Sequence, residues 1–168
     1  MSEVQVSIIP PEPPIRYFYK PIGSDYDVHV QEALEAICNL PENLRLDEIR
    51  ALDARERAVL SAFSIRAASL AVRSKSSALL QAGIVSVIFG NFDSDFRYGF
   101  IALAVLRDAA NRIGADFNAL LIKAAKLGTS EAKEMALSFM PNTATLEQMS
   151  YAYVDDGENS RYLPNVQI

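Results

Sequence analysis

The sequence lacks tryptophan and has one histidine and one cysteine among its 168 residues. A single thiol, Cys38, cannot form a disulfide within the chain, and a structural zinc site requires about four Cys or His ligands. His29 and Cys38 lie on one predicted helix at a spacing that points their side chains to opposite faces. These shortages exclude a disulfide scaffold, a structural zinc site and a Cys/His catalytic dyad within the chain.

Phosphate-binding loops are missing as well, because neither G-x-x-x-x-G-K-[ST] nor G-x-G-x-x-G occurs. The segment Ser130–Lys133 matches S-x-x-K, but its companion motifs S-D-N and K-T-G are absent, and Ser130 is placed to cap a helix. We therefore predict that the protein is not an enzyme and that it holds no metal and no cofactor.

Long hydrophobic runs and an export signal are also lacking. The longest apolar stretch, Tyr98–Leu106, is far shorter than the ~20 residues that cross a bilayer. The first fourteen residues carry four prolines and no basic residue, unlike a signal peptide. Half of the residues are apolar, as in globular proteins. We expect a cytoplasmic protein that does not bind membranes.

The net charge of −5 makes a nucleic-acid partner an unfavoured hypothesis, because nucleic-acid binders are more often basic. The charge is also uneven along the chain. Residues 1–44 carry −5, residues 45–75 carry +3, residues 76–140 are neutral, and residues 141–168 carry −3. Acidic ends therefore flank a basic segment, an asymmetry that can organise either the fold or a partner surface.

Residues 1–24 are predicted to form an extended arm that lies over the domain. Four prolines between residues 10 and 14 enforce polyproline geometry. Ile15, Tyr17 and Tyr19 then alternate with other side chains, as in a strand. An unanchored tail would not usually carry so many large apolar groups. A short strand pair is compatible with this arm, and we expect no further sheet.

Residues 25–154 are predicted to form a compact, all-α bundle of six or seven antiparallel helices joined by short loops. The helix boundaries follow from capping residues and from glycine or proline at the ends. The segment from Gly83 to Phe89 is almost wholly apolar and should lie at the centre. The last short helix should begin at Thr145 and fade before Asp155, leaving residues 155–168 as a polar tail. The capping signals are Asp53 with Glu56, Ser76 or Ser77, Asp93 or Ser94, Gly114, Asp116, Thr129 or Ser130, and Thr145 with Gln148.

Residues 81–139 resemble armadillo or HEAT helical repeats. The resemblance rests on Ala82-Gly83 at a helix start, an apolar Val87–Phe89 run, a Ser/Asp turn at residues 93–95, and the Ala102–Leu106 run. Residues 116–139 look like a looser second copy. The resemblance implies repeat-like helical hairpins within the bundle and a role in protein binding rather than catalysis.

These features favour a non-enzymatic protein-interaction module that covers a basic surface of another protein. A toxin-neutralising immunity protein or other small acidic inhibitor is a concrete version, because acidic patches speed association with basic sites. The tail combines acids with aromatics, as binding surfaces often do. The candidate partner-binding residues are Tyr151, Tyr153, Asp155, Asp156, Glu158 and Tyr162, together with Asp93 and Asp95 at a helix start.

Three alternatives stay open. The chain could instead bind a small molecule or lipid, with or without weak catalysis, in a pocket between helices. The tail tyrosines could pin the tail to the bundle. The acidic ends could cover the chain's own basic face, on which Arg55, Arg66 and Arg73 are aligned. The sequence predicts no oligomeric state.

Overall fold

A computed structural model of the protein describes residues 26–90 and 96–165. The predicted N-terminal arm and the candidate residues Asp93 and Asp95 lie outside the described residues.

Seven α-helices make up most of the described chain and include more than half of all 168 residues, which confirms the predicted all-α class. The loops between consecutive helices are short, and most consecutive helices pack against each other, the exception being α2 and α3. The helices are α1 (Tyr26–Cys38), α2 (Glu42–Arg50), α3 (Ala54–Ser74), α4 (Ser77–Gly90), α5 (Arg97–Ile113), α6 (Phe117–Ala125) and α7 (Ser130–Phe139).

Local capping chemistry fixes several of the helix ends, as predicted, but α5 begins at Arg97, after Phe96, rather than at the predicted Asp93 or Ser94. Asp53 and Glu56 form a reciprocal capping box at the start of α3. The side chains of Asp116 and Thr129 accept hydrogen bonds from backbone amides in the first turns of α6 and α7. Gly114 adopts a left-handed conformation at the end of α5, where glycine avoids the strain of a side chain.

Helix α4 is the centre of the bundle. Every residue from Gly83 to Phe89 is buried, which confirms the prediction for this segment. The helix contacts α1, α3, α5, α6 and α7. A Cβ atom added to Gly83 would lie 2.8 Å from Cδ2 of Leu106 and 3.0 Å from Cβ of Ala67, so glycine is what permits α3, α4 and α5 to pack this closely.

The chain ends in an antiparallel hairpin of β1 (Tyr151–Val154) and β2 (Arg161–Pro164), with a 3₁₀ turn at Gly157–Asn159. The sequence predicted a short helix after Thr145 and a polar tail. The capping box between Thr145 and Gln148 is present, but residues 146–150 form only a turn. Ser150 takes a left-handed conformation with φ of 65°, which ends that turn and directs the chain into β1. The described sheet therefore lies at the C-terminal end rather than near the N-terminus.

The segment that resembles helical repeats, residues 81–139, folds as most of α4 together with α5, α6 and α7. Because α4 is surrounded by five other helices, these hairpins form part of a closed bundle. Within residues 26–90 and 96–165, none of the helices has the length and apolar character needed to span a membrane.

Candidate functional site

The hairpin is attached to the bundle through Tyr162, whose side chain is buried at 3% exposure. Its hydroxyl donates a hydrogen bond of 2.6 Å to Oδ2 of Asp108, in the second half of α5. Its backbone amide donates to Oγ of Ser69 on α3 at 3.1 Å. One tyrosine therefore links β2 to two neighbouring helices.

Arg112 adds a second attachment one helical turn beyond Asp108. Its Nε donates to Oδ2 of Asp108 at 2.6 Å and forms an ion pair with it across one turn of the helix. The guanidinium carbon lies 3.7 Å from the ring centre of Tyr153, and the Tyr153 ring centre lies 5.0 Å from that of Tyr162. Tyr153 and Tyr162 are opposite each other in the hairpin, so their rings form one cross-strand pair under the guanidinium.

The protonation of this cluster follows from its burial and its charges. Burial raises the pKa of Tyr162 far above the usual value, and the hydrogen bond to Asp108 and the charge of that carboxylate raise it further, against a smaller opposing effect of Arg112. Burial alone would lower the pKa of Arg112, but the hydrogen bond and charge of Asp108 outweigh it and raise the pKa. The cluster is therefore a neutral phenol bonded to an ion pair.

The tip of the hairpin carries Asp155, Asp156 and Glu158, all exposed to solvent. We call these three residues the acidic tip. The backbone amide of Asp156 donates to Oγ of Ser160 at 3.1 Å. The same hydroxyl lies 3.0 Å from Oδ1 of Asp155 and 2.7 Å from the carbonyl of Gly157, either of which can accept its hydrogen. Ser160 is buried, so it holds the turn in one shape beneath the carboxylates.

Two arginines of the predicted basic face, Arg66 and Arg73, contact the two acidic ends of the chain in different ways. Arg66 forms an ion pair of 2.9 Å with Asp27 of α1. Arg73 donates to the backbone carbonyl of Glu158 at 3.2 Å, so this contact leaves the Glu158 carboxylate exposed. Asp156 approaches Arg161 at 4.0 Å, and both side chains are largely in solvent, where such pairs contribute little.

A groove of about 360 Å³ lies beside the hairpin, between the first halves of α3 and α5. Small residues line much of it, and Val87 and Gly90 of α4 contribute to its lining. Tyr98, which is 66% exposed, also lines the groove. Tyr151 lines it from the hairpin side, and burial raises the pKa of its hydroxyl. The small lining residues are Ala54, Ala58, Ser61, Ser64, Gly99 and Ala102.

Over residues 26–90 and 96–165, His, Cys, Asp and Glu side chains form no group of three that could hold a metal ion. Cys38 is partly buried at the end of α1, and burial raises the pKa of its thiol, with Glu35 raising it further and Arg45 opposing both. A raised pKa makes the thiolate scarce at neutral pH, so Cys38 is a weak nucleophile.

The structure brings six of the eight candidate residues into one hairpin but divides their roles. The three tyrosines face the bundle, and the three acids face solvent. No sequence pattern indicated the role of Ser69 or the link from Tyr162 to Asp108. A hairpin signal was available, because Asp156-Gly157 stands between short segments rich in aromatic and β-branched residues.

Comparison of the chain with protein-family models, with curated proteins and with solved structures gave no match.

Proposed function

We propose that this chain is a non-enzymatic protein-interaction module that uses the acidic tip to contact a basic surface of another protein. One observation carries the proposal. The second strand of the hairpin is fixed to α3 and α5 through Tyr162, while all three acids of the tip are exposed.

A fixed turn favours binding because its carboxylates are already ordered before a partner arrives. Ordering a mobile acidic tail on binding costs about 0.5–1.5 kcal/mol for each side chain that is immobilised. The hydrogen bonds of Ser160 to this turn reduce that cost. Three carboxylates within four residues also attract a basic partner over several ångströms, which raises the association rate at low salt.

The tyrosines have a supporting role in this proposal. Tyr162 and Tyr153 hold the hairpin through Asp108 and Arg112, so their aromatic surface is directed towards the bundle. The exposed apolar group closest to them in the hairpin is Leu163, which is 38% exposed. The binding surface is therefore mainly electrostatic, as suits an inhibitor or immunity-type protein that covers a basic site.

The experiment is a comparison of two triple variants with equal changes in charge. The tip variant carries Asp155→Asn, Asp156→Asn and Glu158→Gln. The control carries Glu32→Gln, Glu35→Gln and Glu134→Gln, three exposed acids on α1 and α7. Affinity capture with the wild-type chain identifies the bound protein, and association rates are then measured at two salt concentrations.

The proposal expects slower association and a weaker salt dependence for the tip variant alone, with little change in the free energy of unfolding. If the tip acids instead stabilise the fold by neutralising the chain's own arginines, the tip variant should have a lower free energy of unfolding and an unchanged association rate. Equal binding by the tip variant and the wild type would refute the choice of surface.

The alternative function is binding of a small molecule or lipid between helices. The groove between α3 and α5 is the feature that favours it, since its volume is at the lower end of the range for ligand sites. The position of the groove fits an extended peptide segment better than a small molecule. The C-terminal hairpin, which is extended chain, already covers the neighbouring part of α3 and α5.

A further inference from the structure

The groove and the hairpin occupy successive parts of one boundary between α3 and α5. The hairpin contacts the second halves of both helices, at Ser69 and Arg73 of α3 and at Asp108 and Arg112 of α5. The groove lies along their first halves, and Tyr151, the first residue of β1, is the hairpin residue that lines it. Extended, tyrosine-rich chain thus covers one part of this boundary and leaves the other part open among the described residues.

We propose that residues 15–19 of the chain's own N-terminal segment (Ile-Arg-Tyr-Phe-Tyr) occupy this groove in an extended conformation. The groove is lined by small residues such as Ala58, Ser61 and Gly99, which leave room for large side chains from elsewhere. In an extended segment, Ile15, Tyr17 and Tyr19 project to one side. The segment therefore offers a row of large apolar groups to a groove in which alanine, serine and glycine alternate with larger residues such as Ile65 and Ile101.

The length of the segment matches the length of the groove. Five extended residues span about 13 Å between the first and last Cα atoms. The groove follows α3 from Ala54 to Ile65, a distance of about 17 Å at the usual rise of an α-helix. One segment of this length fits along the groove without a turn.

The point at which α1 begins also places the segment within reach. Asp27, in the first turn of α1, is bonded to Arg66, and Arg66 follows the groove residue Ile65 directly in α3. The chain from residue 19 to residue 26 can span up to about 23 Å, whereas a helix with its side chains is about 10–12 Å across. The chain can therefore pass over α3 and enter the groove from the start of α1.

Photo-crosslinking in the full chain tests this placement. In one variant, a photoreactive phenylalanine analogue replaces Tyr17. In a second variant it replaces Phe18, which would project to the opposite side of an extended segment. Mass spectrometry then locates the crosslinked residues. The expected products join position 17 to residues 54–65 and 97–102 in a single chain, with a lower yield from position 18.

Two tryptophan variants show whether the groove itself is needed. Ala58→Trp fills the groove, whereas Ala78→Trp places the same group at an exposed position on α4 outside it. The crosslink from position 17 should fall by roughly tenfold in the first variant, equivalent to about 1.4 kcal/mol, and stay constant in the second. Circular dichroism confirms that both variants keep their helices.

Three results would overturn the proposal. Crosslinks to other parts of the bundle would place the segment elsewhere. A crosslinked product of twice the chain's mass would assign the groove to a second copy. An absence of crosslinks from position 17, with the analogue reacting normally in an unfolded control, would leave the groove to an external ligand.

Discussion

Tyr162 and Asp108 are joined by a hydrogen bond of 2.6 Å, which connects the last strand of the chain to the second half of α5. The acceptor oxygen also receives a hydrogen from Arg112, so the carboxylate is held from two sides. Together with the contacts of Ser69, Arg73 and Arg112, this bond positions the hairpin and its acidic tip against the bundle.

Tyr162→Phe should lower the free energy of unfolding by about 1.5–2 kcal/mol. The substitution removes a hydrogen bond to a charged acceptor in a buried place, and such bonds contribute about 1.5–3 kcal/mol. Asp108 keeps its bond to Arg112, which limits the loss. Urea unfolding measures the difference, with Tyr98→Phe as the control because that side chain is 66% exposed. Equal stability of Tyr162→Phe and the wild type would show that this bond does not hold the hairpin.

The same contact predicts a loss of stability in alkaline solution. Burial and the Asp108 carboxylate raise the pKa of Tyr162 above the usual 10.0, so the folded chain keeps a proton that the unfolded chain releases. The stabilisation is complete below about pH 10 and declines above it, by up to about 1.4 kcal/mol for each pH unit.

Unfolding measured between about pH 9 and about pH 11 tests this, since ordinary tyrosines titrate near pH 10. The decline should be less steep in Tyr162→Phe, which has no hydroxyl to ionise. Parallel curves for the two proteins would assign the alkaline loss to other groups, such as Tyr151.

Most of the helices could be predicted from the sequence because many of their ends depend on chemistry within four residues, whereas the start of α5 at Arg97 has no side-chain cap and was predicted too early. Asp53 and Glu56 bond each other's backbone amides whatever the rest of the chain does. The same local reasoning was wrong after Thr145, because a capping box is satisfied equally by a single turn. Contacts with α3 and α5 determine the path of the chain beyond that turn, and no local pattern describes them.

The position of the hairpin and the shape of the groove depend on how α3 and α5 are placed relative to each other. Ser69 and Asp108 are ordinary helix residues in the sequence, and only packing brings both to Tyr162. That packing depends on Gly83, which lets the two helices approach α4. The sequence therefore identified the tyrosines and acids as a group. It could not show that the tyrosines attach the hairpin to the bundle while the acids are exposed to solvent.

Ile88→Asp should lower the free energy of unfolding by about 4 kcal/mol or more. The side chain of Ile88 is 1% exposed in α4, and a carboxylate there would lose its hydration without gaining a partner. Ile122→Asp is the matched control, because Ile122 is 44% exposed on α6 and its change should cost about 0.5 kcal/mol. Thermal or urea unfolding distinguishes the two. Similar melting temperatures for both variants would contradict the central position of α4.

Arg107 should be as important for the segment after α7 as Tyr162 is for the hairpin. Its guanidinium donates to the carbonyls of Asn142 and Ala144 at 2.5 and 2.9 Å, and it lies 4.5 Å from the ring centre of Phe139. Burial lowers the pKa of this guanidinium, yet arginine stays charged at neutral pH. Its planar group can reach two carbonyls at once, whereas the single ammonium of lysine cannot match that geometry.

Arg107→Lys should therefore reduce stability by about 1–2 kcal/mol, and Arg107→Met by somewhat more, because methionine leaves both carbonyls without this donor. Hydrogen exchange gives the local readout: residues 142–149 should exchange faster in both variants, while α4 stays protected. Lys123→Met, at an exposed position on α6, removes the same charge and should change neither quantity. If Arg107→Lys behaves like the wild type, then one bond is sufficient and the paired geometry contributes nothing. If Lys123→Met matches Arg107→Met, then the effect is one of net charge, and the two carbonyl contacts do not hold this segment.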